Sequence, residues 1–241
     1  MEPGIREELE HGMFDNVVVI GARGRVGSAM SARLHERGVD SDGTPPDLVL
    51  LCVPDRAIAE VAAGIAPGPW VAHTSGGTPL TALDPHGRRF SLHPLQTFTA
   101  GRGAEQLDGA WAAVSGETDA AVTAGESLAR TLGLRPFVLD DERRALYHAG
   151  AAVASNYLVT LYRAASDLLA AAEAPPEALE PLMRRVIDND FALTGPIERG
   201  DWQTVERHRA AIADAAPELL PAYDALAALT AHEAATHGAP A

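Results

Sequence analysis

Two apolar runs set unusually close together constrain this chain more than any other feature. Val17-Val18-Val19-Ile20 leads into Gly21-Ala22-Arg23-Gly24-Arg25-Val26-Gly27, a strand that passes through a glycine turn into a helix. Leu48-Val49-Leu50-Leu51-Cys52-Val53 is a second, wholly apolar strand, and it ends in Val53-Pro54-Asp55. The crossover between them is a helix over 25–37, with Val26, Met30 and Leu34 on one face and Gly38 as its stop. Only twenty residues separate Gly27 from Leu48. A complete dinucleotide-binding half has a further strand and helix before its next central strand. Residues 38–47 (Gly-Val-Asp-Ser-Asp-Gly-Thr-Pro-Pro-Asp) carry turn residues and no strand pattern. The expectation is a sheet without its adenine-side strands, the chain running from the first helix through 38–47 directly to Leu48–Val53.

Downstream, Arg56–Ile65 reads as a helix entered at Asp55. Trp70–His73 and Arg89–His93 read as strands, and Trp111–Ser115 and Pro136–Leu139 as weaker strands on either side of a helix over 118–132. Strands that alternate with helices imply a mostly parallel sheet. From Asp141 to His237 no strand pattern occurs. Residues 142–172 read as one long helix, with apolar side chains at 146, 149, 153, 157, 161, 164 and 168. Further helices are expected at 176–191, 203–214 and 218–236, and a disordered tail at 238–241. The fold class is therefore α/β, a mostly parallel sheet over residues 14–140 with a reduced adenine-side half, followed by an all-α domain over 141–237. The long helix, apolar on more than one face, points to a homodimer.

Composition narrows the function classes. The formal net charge of −14 disfavours nucleic acid and anionic membrane as partners. No apolar run approaches the roughly 18 residues of a membrane span, and the polar, acidic stretch Met1 to Met13 is unlike a secretory signal. Cys52 is the single cysteine, which suits a reducing cytoplasm, and it reads as a packing residue inside a strand. All nineteen basic residues are arginine. Schiff-base, phosphate-loop and general-acid lysines are thereby excluded, and proton transfer falls to His, Asp, Glu, Tyr or the lone Cys.

The glycine turn is spaced G-x-x-G-x-x-G, one residue longer than the usual G-x-G-x-x-G. Gly21 permits the tight exit, Gly24 lets a phosphate approach backbone N–H groups, and Gly27 lets the helix pack on the sheet. Arg23 and Arg25 add positive charge. Asp40 stands at the count where an acid usually binds the adenosine ribose, but in a polar loop. His73-Thr74-Ser75-Gly76-Gly77 ends one parallel strand and Ser91-Leu92-His93-Pro94-Leu95-Gln96-Thr97-Phe98 ends the next. Ligands bind beyond such carboxyl ends, so Ser75, His93, Gln96 and Thr97 are aimed at one crevice. His93 is the candidate acid/base because an unperturbed imidazole titrates near neutral pH. The alternative for His93 and His73 is a buried ring bonded to backbone. On the long helix His148, Ala152, Ser155 and Asn156 fall on one stripe, lining either a ligand or a helix seam. Thr194 lies in a turn-rich connector that faces the crevice on this reading, and Asp201 caps the next helix. His232-Glu233-Ala234-Ala235-Thr236-His237 fails as a zinc helix because its histidines are five apart, so no metal site is expected.

Gly24-Arg25-Val26-Gly27, Leu50 through Asp55, His73 through Gly76, Ser91 through Phe98, His148 through Asn156 and Leu193 through Asp201 resemble a bacterial family. That family joins a Rossmann-like domain to a helical domain of the 6-phosphogluconate dehydrogenase-like type. Its members are provisionally described as NADP-dependent oxidoreductases, and it looks related to prephenate dehydrogenases, pyrroline-carboxylate reductases and ketopantoate reductases. The resemblance implies NADP or NAD held by Gly21, Arg23, Gly24, Arg25, Val26, Gly27, Val53, Pro54 and Asp55. It implies reduction of a small keto or imino acid at His93, Ser75, His148 and Asn156, with Gln96, Thr97 and Thr194 on the substrate. Prephenate dehydrogenases carry a His-Pro where this chain has His93-Pro94. Broader relatives carry a lysine where this chain has Ala152. Two other readings stay open: a relative that has lost the nicotinamide and does non-redox acid/base chemistry, and a non-catalytic dimeric ligand-binding protein.

Overall fold

The computed structural model describes residues 12–41 and 43–237. The tail at 238–241, expected to be disordered, and most of the Met1 to Met13 stretch lie outside those residues. The chain divides into two compact units, the first ending at Val153 and the second beginning at Ala154.

The first unit is built on one six-stranded sheet whose spatial order follows the sequence. Its strands are β1 (Val17–Ile20), β2 (Leu48–Leu51), β3 (Trp70–His73), β4 (Arg89–Pro94), β5 (Trp111–Ser115) and β6 (Arg135–Val138). β1 to β4 are mutually parallel, β5 runs antiparallel to β4, and β6 is parallel to β5. The helices are α1 (Arg25–Glu36), α2 (Ile58–Ala63), α3 (Asp119–Thr131) and α4 (Arg144–Ala152). This is the mostly parallel, Rossmann-like sheet expected. Alternation along β2 sorts the core onto two faces. Leu48 and Leu50 pack with Met30, Leu34, Phe90 and Leu128 on one side. Val49 and Leu51 pack with Ile58, Ala62 and Leu83 on the other.

Between α1 and β2 the described residues hold no strand, only an isolated parallel bridge between Asn16 and Asp40. Two glycines of the turn are demanded by the backbone itself. Gly21 has φ 95°, and a Cβ there would lie 2.3 Å from the Cys52 carbonyl oxygen. A Cβ on Gly27 would lie 2.3 Å from the Gly21 carbonyl oxygen, so α1 could not seat on the turn.

The single helix expected over 142–172 is interrupted. A 3₁₀ turn (Asp141–Arg143) precedes α4, and a π turn (Val153–Tyr157) separates α4 from α5 (Leu158–Ala171). The stretch between the sequence boundary at 140/141 and the end of the first compact unit at Val153 holds the 3₁₀ turn and α4. Arg144 on α4 reaches Ser75 and Ser91, which ties this helix to the sheet. The second unit continues with α6 (Leu179–Asp188), α7 (Trp202–Ala215) and α8 (Leu220–His237). The Asp201 carboxylate accepts from Thr204 N at 3.1 Å and so caps α7. Leu182, Ile187, Phe191, Trp202 and Leu229 of this unit are more than half exposed. No helix among the described residues is long and apolar enough to cross a membrane.

Candidate functional site

β3 and β4 end side by side, and α4 lies over their carboxyl ends. Three rings meet there. His93 Nδ1 and the Tyr147 hydroxyl are 2.8 Å apart. The imidazoles of His93 and His148 stand edge to face with centroids 5.8 Å apart. Gly76 and Gly77 form the floor beneath them. A Cβ on Gly76 would lie 2.7 Å from His148 Cδ2 and 2.8 Å from His93 Nε2, and one on Gly77 3.0 Å from His148 Nδ1. Only glycine allows the rings this close to the chain.

The scaffold of the site is Arg144, whose side chain is 2% exposed. Its guanidinium donates to Asp141 Oδ1 at 2.9 Å, to the Ser75 carbonyl at 3.0 Å and to the Ser91 hydroxyl. Asp141 in turn accepts from Leu80 N at 3.0 Å. One buried cation thus joins the β3 loop, β4 and the start of α4. Its planar fork satisfies three oxygens at once, which a lysine could not do.

Burial shapes the protonation of the site. His93 is pushed down to about 4, first by desolvation and then by its neighbours His148 and Arg144. The expectation that His93 titrates near neutral pH is therefore corrected: at pH 7 it is an uncharged imidazole. The Tyr147 phenol is pushed up to about 12 by burial, so it keeps its proton. His73 is fully buried and also held down at about 4, by desolvation and then by Arg144. Its Nδ1 accepts from Ser75 N at 3.2 Å, while its buried Nε2 has no hydrogen-bond partner among the described residues; Asp141, Asp55 and the Pro79 backbone pull upward without offsetting the burial.

Both depressed values make stability depend on pH. Each histidine binds a proton in the unfolded chain below about 6.5 and in the folded chain only below about 4. The full stability is present above the unfolded value and is lost as pH falls from 6.5 toward 4. The loss is about 2–3 kcal/mol per histidine. Urea denaturation at pH 7 and pH 4.5 reads it directly. His73→Asn is expected to flatten the fall by one histidine's share, and an unchanged slope would count against burial of a neutral His73.

The other site residues fall into three groups. Ser75, expected to hold a substrate oxygen, has its hydroxyl engaged: Oγ donates to Thr78 Oγ1 at 2.9 Å and accepts from Gly77 N and Thr78 N. It shapes the glycine floor. Gln96 and Thr97 follow β4 and are exposed, and Gln96 Oε1 is taken by Thr97 N at 2.8 Å. Asn156 lies on the π turn and Thr194 in the connector before α7, both exposed and both in the second unit. The π turn breaks the α-helical register that placed Asn156 in line with His148.

The glycine turn lies at the carboxyl end of β1, three strand spacings (roughly 14 Å) from the end of β4. Gly24 is the N-cap of α1 with no side-chain cap, and the first turn holds no acid. Ala22 to Arg25 are exposed, Val26 and Val53 half-buried, Pro54 and Asp55 exposed. This is a helix N-terminus suited to a phosphate, with Arg23 and Arg25 beside it. Among the described residues no group of three or more His, Cys, Asp or Glu side chains is placed to hold a metal. Tyr147 and Arg144 are not among the site residues that the sequence singles out.

These features define the class: a Rossmann-like α/β protein with the fold of NAD(P) oxidoreductases and a helical C-terminal part. The chain belongs to the family described as Domain of unknown function (DUF2520), whose model matches residues 110–230. Among solved structures, BF3122 from Bacteroides fragilis, a provisionally assigned NADP oxidoreductase, is similar with TM-score 0.75 and 21% identity over 93% of this chain and 99% of that one. Protein TM1727 from Thermotoga maritima is similar with TM-score 0.71 and 25% identity, covering 96% of this chain and 94% of that one. A reductive aminase from Aspergillus terreus, solved with NADPH and ethyl-5-oxohexanoate, has TM-score 0.59 and 18% identity over 93% of this chain and 94% of that one. No curated protein matches the sequence.

Proposed function

We propose that this chain is a nicotinamide-dependent reductase of a small keto or imino acid. The observation that carries the reading is the convergence of His93, Tyr147 and His148 over Gly76, on the same sheet edge as an uncapped, acid-free helix N-terminus. The first turn of α1, with Gly24, Arg25, Val26 and Gly27, would hold the cofactor's phosphate, and Val53, Pro54 and Asp55 would border its nicotinamide side. When bound, the cofactor supplies hydride to the substrate carbon.

The residues of the chain supply the proton. Tyr147 keeps its hydrogen and donates it to His93 Nδ1, which leaves the ring proton on Nε2, over the glycine floor. As the electron pair of the C=O or C=N bond moves onto oxygen or nitrogen, that atom takes the Nε2 proton. The phenolic proton passes to Nδ1; solvent then returns a proton to Nε2 as Nδ1 gives its own back to half-buried Tyr147, which restores the starting pair. His148 orients the substrate from the opposite wall. The second unit, with its exposed Leu182, Ile187, Phe191, Trp202 and Leu229, would pair with a second copy to form a homodimer. Sedimentation equilibrium at micromolar concentration checks this, and a monomer there overturns it.

A screen of small keto and imino acids with NADH and NADPH, followed at the nicotinamide absorbance, tests the reading. Cofactor oxidation that depends on substrate supports it. Binding of a keto acid without binding of either nicotinamide would favour non-redox acid/base chemistry at His93. The specific observation behind that second reading is that the described residues between α1 and β2 hold neither a strand nor a helix.

A further inference from the structure

A complete dinucleotide fold places a strand on the outer side of β1 that ends level with the glycine turn, with an acid at its tip on the adenosine ribose. Asp40 has the right count for that acid and the wrong register. It pairs with Asn16, before β1 begins. Asp40 N donates to the Asp15 carbonyl and Val17 N to the Asp40 carbonyl, each at 2.8 Å. Gly21 is five residues further along β1, roughly 16 Å away at the rise of a parallel strand.

The chain does not cover that distance. It is fastened to the base of β1 instead. Asn16 Nδ2 donates to the Pro45 carbonyl at 3.3 Å, and Asp47 Oδ2 accepts from Asp15 N and Asn16 N at 3.0 Å each. Asp47 N donates back to the Asn16 carbonyl at 3.0 Å. β1 records the consequence: Val17 is buried, whereas Val18, Val19 and Ile20 are only half-buried. Among the described residues no strand pairs with the outer edge of β1 beyond the bridge at Asn16, while β2, β3 and β4 follow on its inner side.

Resting on the nicotinamide reading above, we propose that the site recognises the nicotinamide–ribose–phosphate half of its cofactor alone, so that a nicotinamide mononucleotide is a full ligand. Among the described residues of the first unit, no strand beyond β1 stands ready to meet the adenosine half of a dinucleotide. The 2′-phosphate, the group that separates NADP from NAD, is usually read at the tip of that same strand.

Titration calorimetry on the full chain with reduced nicotinamide mononucleotide, NADH and NADPH tests this without any turnover. The expected result is three dissociation constants within about threefold of one another, and no heat from 2′,5′-ADP. Asp40→Ala, whose backbone bridge survives the change, should leave all three unaltered. A dinucleotide that binds tenfold or more tighter than the mononucleotide overturns the inference and leaves the reductase reading standing. So does an Asp40→Ala variant weakened toward NADH alone. Absence of heat with all three ligands overturns both.

Discussion

Arg144→Met is expected to remove about 3–5 kcal/mol of folding stability, the usual cost of breaking a buried charge network by deleting one partner. The side chain is 2% exposed and satisfies Asp141, the Ser75 carbonyl and the Ser91 hydroxyl. Methionine fills much of the same volume, so the loss comes from unpaired oxygens more than from a cavity. Asp141 is 28% exposed and keeps its bond from Leu80 N. That partial solvation places the expectation at the lower end of the range. Arg144→Lys should fall between the variant and the wild type, because an ammonium cannot match three oxygens in the geometry of a fork. The urea midpoint reads the stability. A second readout separates electrostatics from packing: Arg144 helps hold His73 and His93 down, so both rings should titrate at higher pH in the variant. A loss under 1 kcal/mol, with unchanged histidine titrations, would show that Arg144 does not hold the site together.

Most of the sheet was legible because buried parallel strands are written as short apolar runs. Leu48–Leu51 and Trp70–His73 stand out between turn residues, and all the side chains of both are buried. That the described residues hold no adenine-side strand was legible for the same reason, since ten residues with two prolines and two glycines cannot make a strand, a helix and two turns. Register was not legible. Counting placed Asp40 near a ribose, but a count does not say which residue of β1 it pairs with, and the bridge to Asn16 settles that. The π turn at Val153–Tyr157 was hidden too, because Val-Ala-Ser-Asn-Tyr continues an acceptable α-helical pattern. At the site, the turn sequence His73 through Gly77 located the floor, but residue types alone could not show that the Ser75 hydroxyl closes its own turn. Tyr147 and Arg144 are far from His93 and Ser75 in sequence. Their partnership exists only once α4 lies over the ends of β3 and β4, and no local pattern encodes that.

If the protein is the reductase proposed, His93→Asn should lower turnover by about 10²–10⁴-fold, the usual contribution of a positioned proton donor. Asparagine retains a polar group of similar reach toward the Tyr147 hydroxyl, so the fold should survive, but it cannot pass a proton from one end to the other. Tyr147→Phe tests the relay from its other end. It removes the partner of Nδ1 and keeps the ring that packs on Phe137. Its turnover should drop by a smaller factor, and the ¹⁵N shifts of His93 should change from one Nε2–H tautomer to a mixture. A purely structural Tyr147 would alter the melting temperature and leave the tautomer alone. The pH profile carries a further sign. Because His93 stays neutral down to about 4, turnover should be level between about pH 5.5 and 7.5 rather than rising through 6.5 as an unperturbed imidazole would demand. His148→Asn should cost less than His93→Asn, since His148 only faces the substrate. Full activity in His93→Asn with loss in His148→Asn would exchange their roles. A limb near pH 6.5 that vanishes in His93→Asn would show that the bound ligand recharges the ring, and the neutral-donor relay through Tyr147 would then be wrong.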